Sequence, residues 1–179
     1  LWVLALLFRR TNRSGVLVPQ ELQPAPHPGL IALVGPGRSE APAGNRPNVA
    51  EEAIQYHLSK GQLKRVWLVT SDAGIPAAEE LRKKYGDLVK ISLIHDILNL
   101  NETYNAVRQI YTRDAEQLGL TPTEIIADYT GGTKPMSVGM ALAAASGRYP
   151  MQFTSGKPDT LSVPIQTGLI VPEETDKEH

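Results

Sequence analysis

The most informative stretch of this chain covers residues 128–136 and reads Asp-Tyr-Thr-Gly-Gly-Thr-Lys-Pro-Met. An apolar run at residues 125–127 leads directly into it, and Gly131 and Gly132 form its centre. Glycines let backbone N–H groups come close to a ligand, and the N-terminus of a following helix carries partial positive charge. Lys134 adds a full positive charge. This stretch therefore predicts a site for a small anion, and phosphate is the expected group.

The spacing of these residues excludes several common nucleotide sites. An NTPase loop needs four residues between its glycines and a Ser or Thr after its lysine, and this stretch has neither. The first glycine turn, residues 35–37, lacks the third glycine of a dinucleotide fingerprint because Glu40 occupies that slot. A serine hydrolase is also unlikely on spacing, since the chain has no Gly-x-Ser-x-Gly. We predict no catalytic residue from these motifs.

The composition is typical of one ordinary globular domain, and it gives no indication of a metal or cofactor site. The chain has 179 residues, of which 41% are hydrophobic and 21% charged, and a formal net charge of -1. That charge argues against duplex nucleic acid as a partner, because duplex affinity depends on many phosphate contacts. Cysteine is absent, and the four histidines show no metal-ligand spacing. We therefore predict neither a cofactor nor a metal site.

Short apolar runs alternate with helical patterns along most of the chain. Strands are predicted at residues 30–34, 66–69, 88–94, 124–128, 151–154 and 163–167, and helices at 49–59, 77–85, 102–118 and 137–146. Asn99 and Glu102 have the spacing of a capping box, and Gly119 stands where a helix-ending residue belongs. This alternation predicts an α/β fold with a doubly wound, mainly parallel, Rossmann-like sheet.

Ligands of such sheets bind beyond the carboxyl ends of the strands. Three predicted strand ends, at residues 35–39, 70–72 and 130–134, are small and polar, and the segment 40–48 could form a flap over them. Taken singly, each has a simpler explanation as a turn, a helix cap or a solvated loop. Together they lie within reach of one ligand. The predicted ligand-binding residues are Gly35, Gly37, Arg38, Ser39, Asn45, Arg46, Thr70, Ser71, Asp72, Thr130, Gly131, Gly132, Thr133 and Lys134.

The stretch 128–136, which ends a strand and opens a helix, resembles the signature turn of CARF domains, the CRISPR-associated Rossmann folds. The first turn, at residues 35–39, is compatible with that family. The resemblance implies a homodimer, or a higher even oligomer, that binds a cyclic oligoadenylate second messenger across a two-fold axis, with cyclic tetra-adenylate placed first. Phosphates of the ring would then meet two copies of the glycine turn, in agreement with the anion site expected from the residues.

The first eight residues are apolar throughout and are followed by Arg9, Arg10 and Arg13. Eight residues cannot cross a bilayer, but they could be the last turns of a longer membrane helix whose arginines mark the cytoplasmic side. A buried strand or helix, or the end of an uncleaved signal peptide, are the alternatives. The predicted division is the end of a transmembrane helix at 1–13, a proline-rich linker at 14–29, a CARF sensor domain at 30–171 and a polar tail at 172–179.

With this apolar start, the chain resembles the membrane-anchored CARF effectors of type III CRISPR systems. That resemblance implies a protein of the cell inner membrane with its CARF domain in the cytoplasm, which passes ligand binding to a membrane helix in antiviral defence. A stand-alone CARF ring nuclease is the first alternative. It would cleave the ring by attack of a ribose 2′-OH without a metal, helped by Lys134 and by Ser39 or Ser71. The second alternative is a CARF-like regulator that acts through a protein partner.

Overall fold

The structure is a computed structural model that describes residues 24–35 and 48–154, and the backbone of residues 163–165. Several predictions fall outside these residues. They concern the apolar start at 1–13, the linker up to residue 23, the flap with its predicted ligand-binding residues, and the polar tail at 172–179.

Six strands form one sheet. They are β1 (Gly29–Val34), β2 (Arg65–Ser71), β3 (Val89–Ile94), β4 (Ile125–Asp128), β5 (Met151–Phe153) and β6 (Val163–Ile165). Their order across the sheet is β3-β2-β1-β4-β5-β6. The first five strands are parallel, and β6 runs antiparallel to β5. The predicted doubly wound, mainly parallel α/β fold is therefore confirmed.

Within the described part of the chain, four α-helices cover the two faces of this sheet. They are α1 (Val49–Ser59), α2 (Ile75–Tyr85), α3 (Leu100–Gln109) and α4 (Lys134–Ser146). Within β1, Leu30 and Ala32 pack with α1 and α2, whereas Ile31 and Leu33 pack with α3 and α4. Burial on both faces explains why the central strands are apolar without interruption.

The helix predicted at 102–118 begins earlier and changes its winding. After α3 the chain continues as a π-helical turn over residues 110–114 and a 3-10 turn over 116–118, and Gly119 ends it with φ +65°. Asn99 caps α3 by accepting the N–H of Asn101 at 3.1 Å. The Glu102 carboxylate accepts the N–H groups of His95 and Asp96 instead of that of Asn99. The predicted capping box therefore does not form, because the Asn99 side chain accepts the N–H of Asn101 rather than that of Glu102 and the Glu102 side chain holds the preceding turn.

The small residues of α4 allow close packing against α3. A β-carbon added to Gly139 would lie 2.5 Å from the carbonyl oxygen of Leu100 and 3.0 Å from the β-carbon of Thr103. Packing within the fold therefore accounts for the glycine in this helix. Across residues 24–35 and 48–154, none of the helices combines the length and the apolar character that crossing a membrane requires.

Candidate ligand-binding site

The candidate site lies where the carboxyl ends of β2, β1 and β4 come side by side. β1 pairs with β2 on one side and with β4 on the other. The helix that follows β1 in the chain, α1, packs on one face of the sheet, and α4, which follows β4, packs on the opposite face. The helices that follow these two neighbouring strands therefore lie on opposite faces, and α/β sheets bind their ligands at such a point of the sheet.

Side chains around the turn that follows β4 hold its backbone in place. Asp128 Oδ1 accepts the Thr130 N–H at 3.0 Å, and Ser137 Oγ donates to the Tyr129 carbonyl at 2.7 Å. Thr133 is the N-cap of α4, and its carbonyl accepts the Ser137 N–H at 2.9 Å. The glycine turn thus ends at the first residue of a 13-residue helix. This geometry matches the predicted arrangement of strand, turn and helix.

The two glycines bring the turn against β1. A β-carbon on Gly131 would overlap the Leu33 carbonyl oxygen, and one on Gly132 would lie 2.8 Å from Leu33 Cδ1. The Gly35 N–H donates to the Gly131 carbonyl at 2.9 Å, which ties the ends of β1 and β4 together. The sequence explained these glycines by access of a ligand to the backbone. The structure adds a second reason, since the fold itself needs the missing side chains.

Hydrogen-bond donors remain available at this turn. Within the described part of the chain, the backbone N–H groups of Gly131, Gly132 and Thr133 have no hydrogen-bond acceptor. Lys134 is exposed, and the ion pairs found among the described residues do not include it. Unpaired N–H groups, the positive end of α4 and one lysine are together suited to an anionic group.

Two predicted hydroxyl groups are occupied within the fold. Thr70 is fully buried, and its Oγ1 donates to the Val34 carbonyl at 2.8 Å. Thr133 Oγ1 donates to the Ile97 carbonyl at 3.2 Å. Both side chains therefore have a structural role at the carboxyl edge of the sheet, because each hydroxyl already donates to a backbone carbonyl.

Three further predicted residues also lie at this edge. Ser71 is 4% exposed, and its buried Oγ has no hydrogen-bond partner among the described residues. Asp72 is exposed, with Oδ2 4.0 Å from Nδ1 of the exposed His95, a pair that contributes little to stability. Thr130 Oγ1 accepts the Thr154 N–H at 2.8 Å. The other predicted residues, Gly37, Arg38, Ser39, Asn45 and Arg46, lie outside the described residues and stay predictions.

A buried polar cluster lies next to the turn, and the sequence did not reveal it. Asp128 Oδ2 accepts the side-chain N–H of Gln152 at 2.9 Å and the hydroxyl of Thr154. Gln152 Oε1 lies 2.8 Å from His57 Nε2. All four of these side chains are almost completely buried. The only signal in the sequence was a polar residue at the end of each of two apolar strands, and such a signal does not name its partner.

Burial shifts the pKa values of both titratable groups in this cluster. It lowers the pKa of His57 from 6.5 to about 4, against the opposing effect of the hydrogen bond with Gln152. Burial raises the pKa of Asp128, while the hydrogen bonds from Thr154, Gln152 and Thr130 oppose that shift. His57 is therefore neutral at pH 7. The ring then carries a single proton, on either Nδ1 or Nε2.

No known protein-family model matches this chain, and no curated protein sequence is significantly similar to it. Solved structures resemble its fold, three of them as follows. Csm6 of Enterococcus italicus, bound to cyclic hexa-2′-fluoro-hexa-dAMP, superposes with a TM-score of 0.51 at 13% identity over 74% of this chain and 35% of its own. A type III CRISPR defence DNA nuclease activated by cyclic oligoadenylate gives 0.49 at 23% identity, over 74% of this chain and 19% of its own. Can2 of Sulfobacillus thermosulfidooxidans, in complex with cyclic tetra-adenylate, gives 0.46 at 16% identity, over 69% and 31%.

The superposition on Csm6 supports the fold. Identities of this size carry no information about residue roles, and of the three structures the Csm6 domain is the one with a TM-score above 0.5. The chain shares with part of Csm6 the Rossmann-like α/β fold that its alternating strands and helices predict. This chain spans about a third or less of the length of these three proteins. Their activities are those of the longer chains.

Proposed function

We propose that this chain is a sensor of CRISPR antiviral defence that binds a cyclic oligoadenylate in a CARF dimer. The observation that carries the proposal is the turn after β4. It presents the N–H groups of Gly131, Gly132 and Thr133 without an acceptor in the described residues, and the exposed Lys134 follows at the N-terminus of α4. Such a site suits individual phosphate groups. A single lysine is too little for duplex nucleic acid, which needs many cationic contacts.

A dimer matches a cyclic ligand because each chain offers one copy of this turn. In an isologous dimer the same surface of both chains faces the two-fold axis. A ring with an even number of nucleotides presents equivalent phosphates to both copies. Cyclic tetra-adenylate is the ring that the CARF resemblance places first. Csm6, which has a similar fold, was solved with a ring of six nucleotides, so the test includes rings of four and of six nucleotides.

The same proposal assigns residues 1–13 to a membrane tether. The apolar run at 1–8 with three arginines behind it is the sequence of a helix end that leaves the membrane on the cytoplasmic side. We place the protein at the cell inner membrane with the CARF domain in the cytoplasm. Ligand binding would act through the linker on the arrangement of the tethered helices.

The linker enters the described structure at Pro24. The hydroxyl of Tyr56, on α1, donates to the Pro24 carbonyl at 2.7 Å. The chain in front of β1 is therefore fixed to the sensor domain at this point, so a movement of the domain would reach the linker directly.

Ring cleavage is kept as an outcome of the test. The hydroxyl of Ser71, which was named as a possible helper in ring cleavage, belongs to a side chain that is 4% exposed and therefore closed to a ligand in this arrangement.

Thermal unfolding with cyclic tri-, tetra- and hexa-adenylate tests the proposal, with linear tetra-adenylate as the control. At a hundred times the dissociation constant, a ring that binds the folded chain stabilises it by about 2.7 kcal/mol. The proposal fails if none of the rings raises the melting temperature. Shortened products in chromatography of the ligand would indicate the ring nuclease instead.

A further inference from the structure

We propose that Asp128, Gln152 and His57 are positioning residues, joined in a directed relay of hydrogen bonds that fixes the candidate anion turn and connects it to the segment in front of β1. The relay concerns the fold of this chain and stands without a ligand. Only its effect on ring affinity rests on the proposed function.

The relay begins at the turn. The Asp128 carboxylate accepts the Thr130 N–H on Oδ1 at 3.0 Å, and on Oδ2 it accepts Gln152 Nε2 at 2.9 Å and the hydroxyl of Thr154. The Thr154 N–H returns a hydrogen bond to Thr130 Oγ1 at 2.8 Å. One buried carboxylate thus holds the first residues of the turn against the end of β5. With these donors in place the turn cannot shift without leaving buried polar atoms unpaired.

The other end of the relay reaches the segment that precedes β1. Gln152 Oε1 lies 2.8 Å from His57 Nε2, and the backbone N–H of His27 donates to His57 Nδ1 at 3.3 Å. A backbone N–H can only donate, so Nδ1 must accept and the ring proton must sit on Nε2. Nε2 then donates to Gln152. Since Tyr56 also holds Pro24, the start of the described chain is fixed to α1 at two points.

The direction of every hydrogen bond in the relay follows from its two ends. Backbone N–H groups donate at both ends, and the two series of donors converge on the Asp128 carboxylate. A donor placed at position 128 would face the NH2 group of Gln152. Turning over the Gln152 amide to relieve that conflict would bring its NH2 group against the proton on His57 Nε2. A change of the hydrogen bonds at the turn therefore also changes those of His57 and of the segment that contains His27.

The state of His57 in the unaltered chain gives the first test. Nitrogen-15 NMR of the histidine rings at pH 7 distinguishes the two neutral tautomers and the charged ring. The relay requires a neutral His57 with its proton on Nε2. A proton on Nδ1, or a charged ring, would overturn the proposal, and this measurement needs no variant.

Two variants test whether the relay positions the turn. Asp128→Asn puts a donor where the relay needs an acceptor. Adding Gln152→Glu supplies an acceptor for that donor and keeps an acceptor for His57 Nε2, while the Thr154 hydroxyl, which can also accept, reverses its hydrogen bond with residue 128. For the single variant we expect amide exchange about tenfold faster or more at Gly131, at Gly132 and at His27, together with a changed His57 tautomer signal. The double variant should return both readouts toward those of the unaltered chain. A merely structural role for Asp128 predicts no such rescue.

Two results would overturn this part of the proposal. One is a folded Asp128→Asn chain with unchanged amide exchange and an unchanged tautomer. The other is a double variant that is no better than the single one, or that does not fold. If a ring binds the protein, the single variant should lower its affinity about tenfold and the double variant should restore it. Failure of the proposed function would show as no binding by the unaltered chain, with the tautomer and exchange results intact.

Discussion

Gly131 packs directly against the carbonyl oxygen of Leu33, at a distance that leaves no space for a β-carbon. This contact and the hydrogen bond from the Gly35 N–H to the Gly131 carbonyl hold the glycine turn on β1. The neighbouring Gly132 is different. A β-carbon there would lie 2.8 Å from Leu33 Cδ1 and 3.1 Å from the β-carbons of Leu33 and Met136, so it would press on side chains rather than on the backbone. The two glycines of the motif are therefore replaceable to different degrees.

We predict that Gly131→Ala lowers the free energy of unfolding by about 2–3 kcal/mol and Gly132→Ala by about 1 kcal/mol. The first substitution overlaps backbone atoms, so the turn itself has to move and its hydrogen bond to Gly35 weakens. Urea denaturation of both variants measures the difference. Equal losses, or a larger loss for Gly132→Ala, would show that the contact with Leu33 does not set the position of the turn.

Stability should fall with acid because of His57. Its pKa is about 4 in the folded chain against 6.5 ordinarily, so the unfolded chain binds this proton more tightly. The stabilising effect is present above pH 6.5 and is lost as the pH falls through 6.5 toward 4. Between pH 7 and pH 5 the expected loss from this group is about 2 kcal/mol.

His57→Gln is the matched variant for this prediction, since it keeps a donor toward Gln152 and does not titrate. The pKa of Asp128 is raised, so its protonation in acid has the opposite effect on stability. Both chains contain Asp128, and their difference isolates His57. We expect urea denaturation to show the unaltered chain losing about 2 kcal/mol more than the variant between the two pH values. Equal losses would contradict the buried, neutral state of His57.

The fold was predictable because its signals are local. β1 is buried on both faces, so its run of apolar residues identified it without knowledge of its neighbours. The glycine turn likewise indicated that a helix follows β4, although the predicted helix begins at residue 137 and the observed one at Lys134. The polar cluster could not be predicted, because His57 and Gln152 are 95 residues apart and meet only after β5 has paired with β4.

Residue type alone did not show that Thr70 is buried. A hydroxyl at a strand end is typical of a ligand site, yet the side chain lies on the buried face that α1 and α2 cover, like Leu68 and Val66, two and four positions earlier. Its hydrogen bond to the Val34 carbonyl is a contact between neighbouring strands. Only the assembled sheet shows which strand lies beside β2.

Lys134→Ala should lower the affinity for a cyclic oligoadenylate more than about a hundredfold. A charge-assisted contact with phosphate contributes roughly 1.5–3 kcal/mol, and a symmetric dimer loses two. The side chain is exposed, so thermal stability without ligand should stay unchanged. Lys83→Ala is the control, because Lys83 is also exposed but lies near the end of α2, away from the glycine turn. Equal affinities of the two variants would remove Lys134 from the site.

The tether predicts that the protein sediments with membranes and stays there through a carbonate wash, which removes proteins bound only at the surface. Detergent should release it. Leu4→Arg would place a charge within the proposed span and shift the protein to the soluble fraction, whereas Leu4→Phe would not. Recovery of the unaltered protein in the soluble fraction, without detergent, would rule out the tether and favour the ring nuclease.

Titration calorimetry with cyclic tetra-adenylate tests the central claim most directly, with the cyclic tri- and hexa-adenylates and linear tetra-adenylate in parallel. We expect saturable binding of a cyclic form with one ring per two chains, because the glycine turns of two protomers share the ligand. The linear molecule should bind far more weakly, since it has to be ordered on binding. One ring per single chain would contradict the shared site, and no binding of any ring would contradict the assignment as a cyclic oligoadenylate sensor.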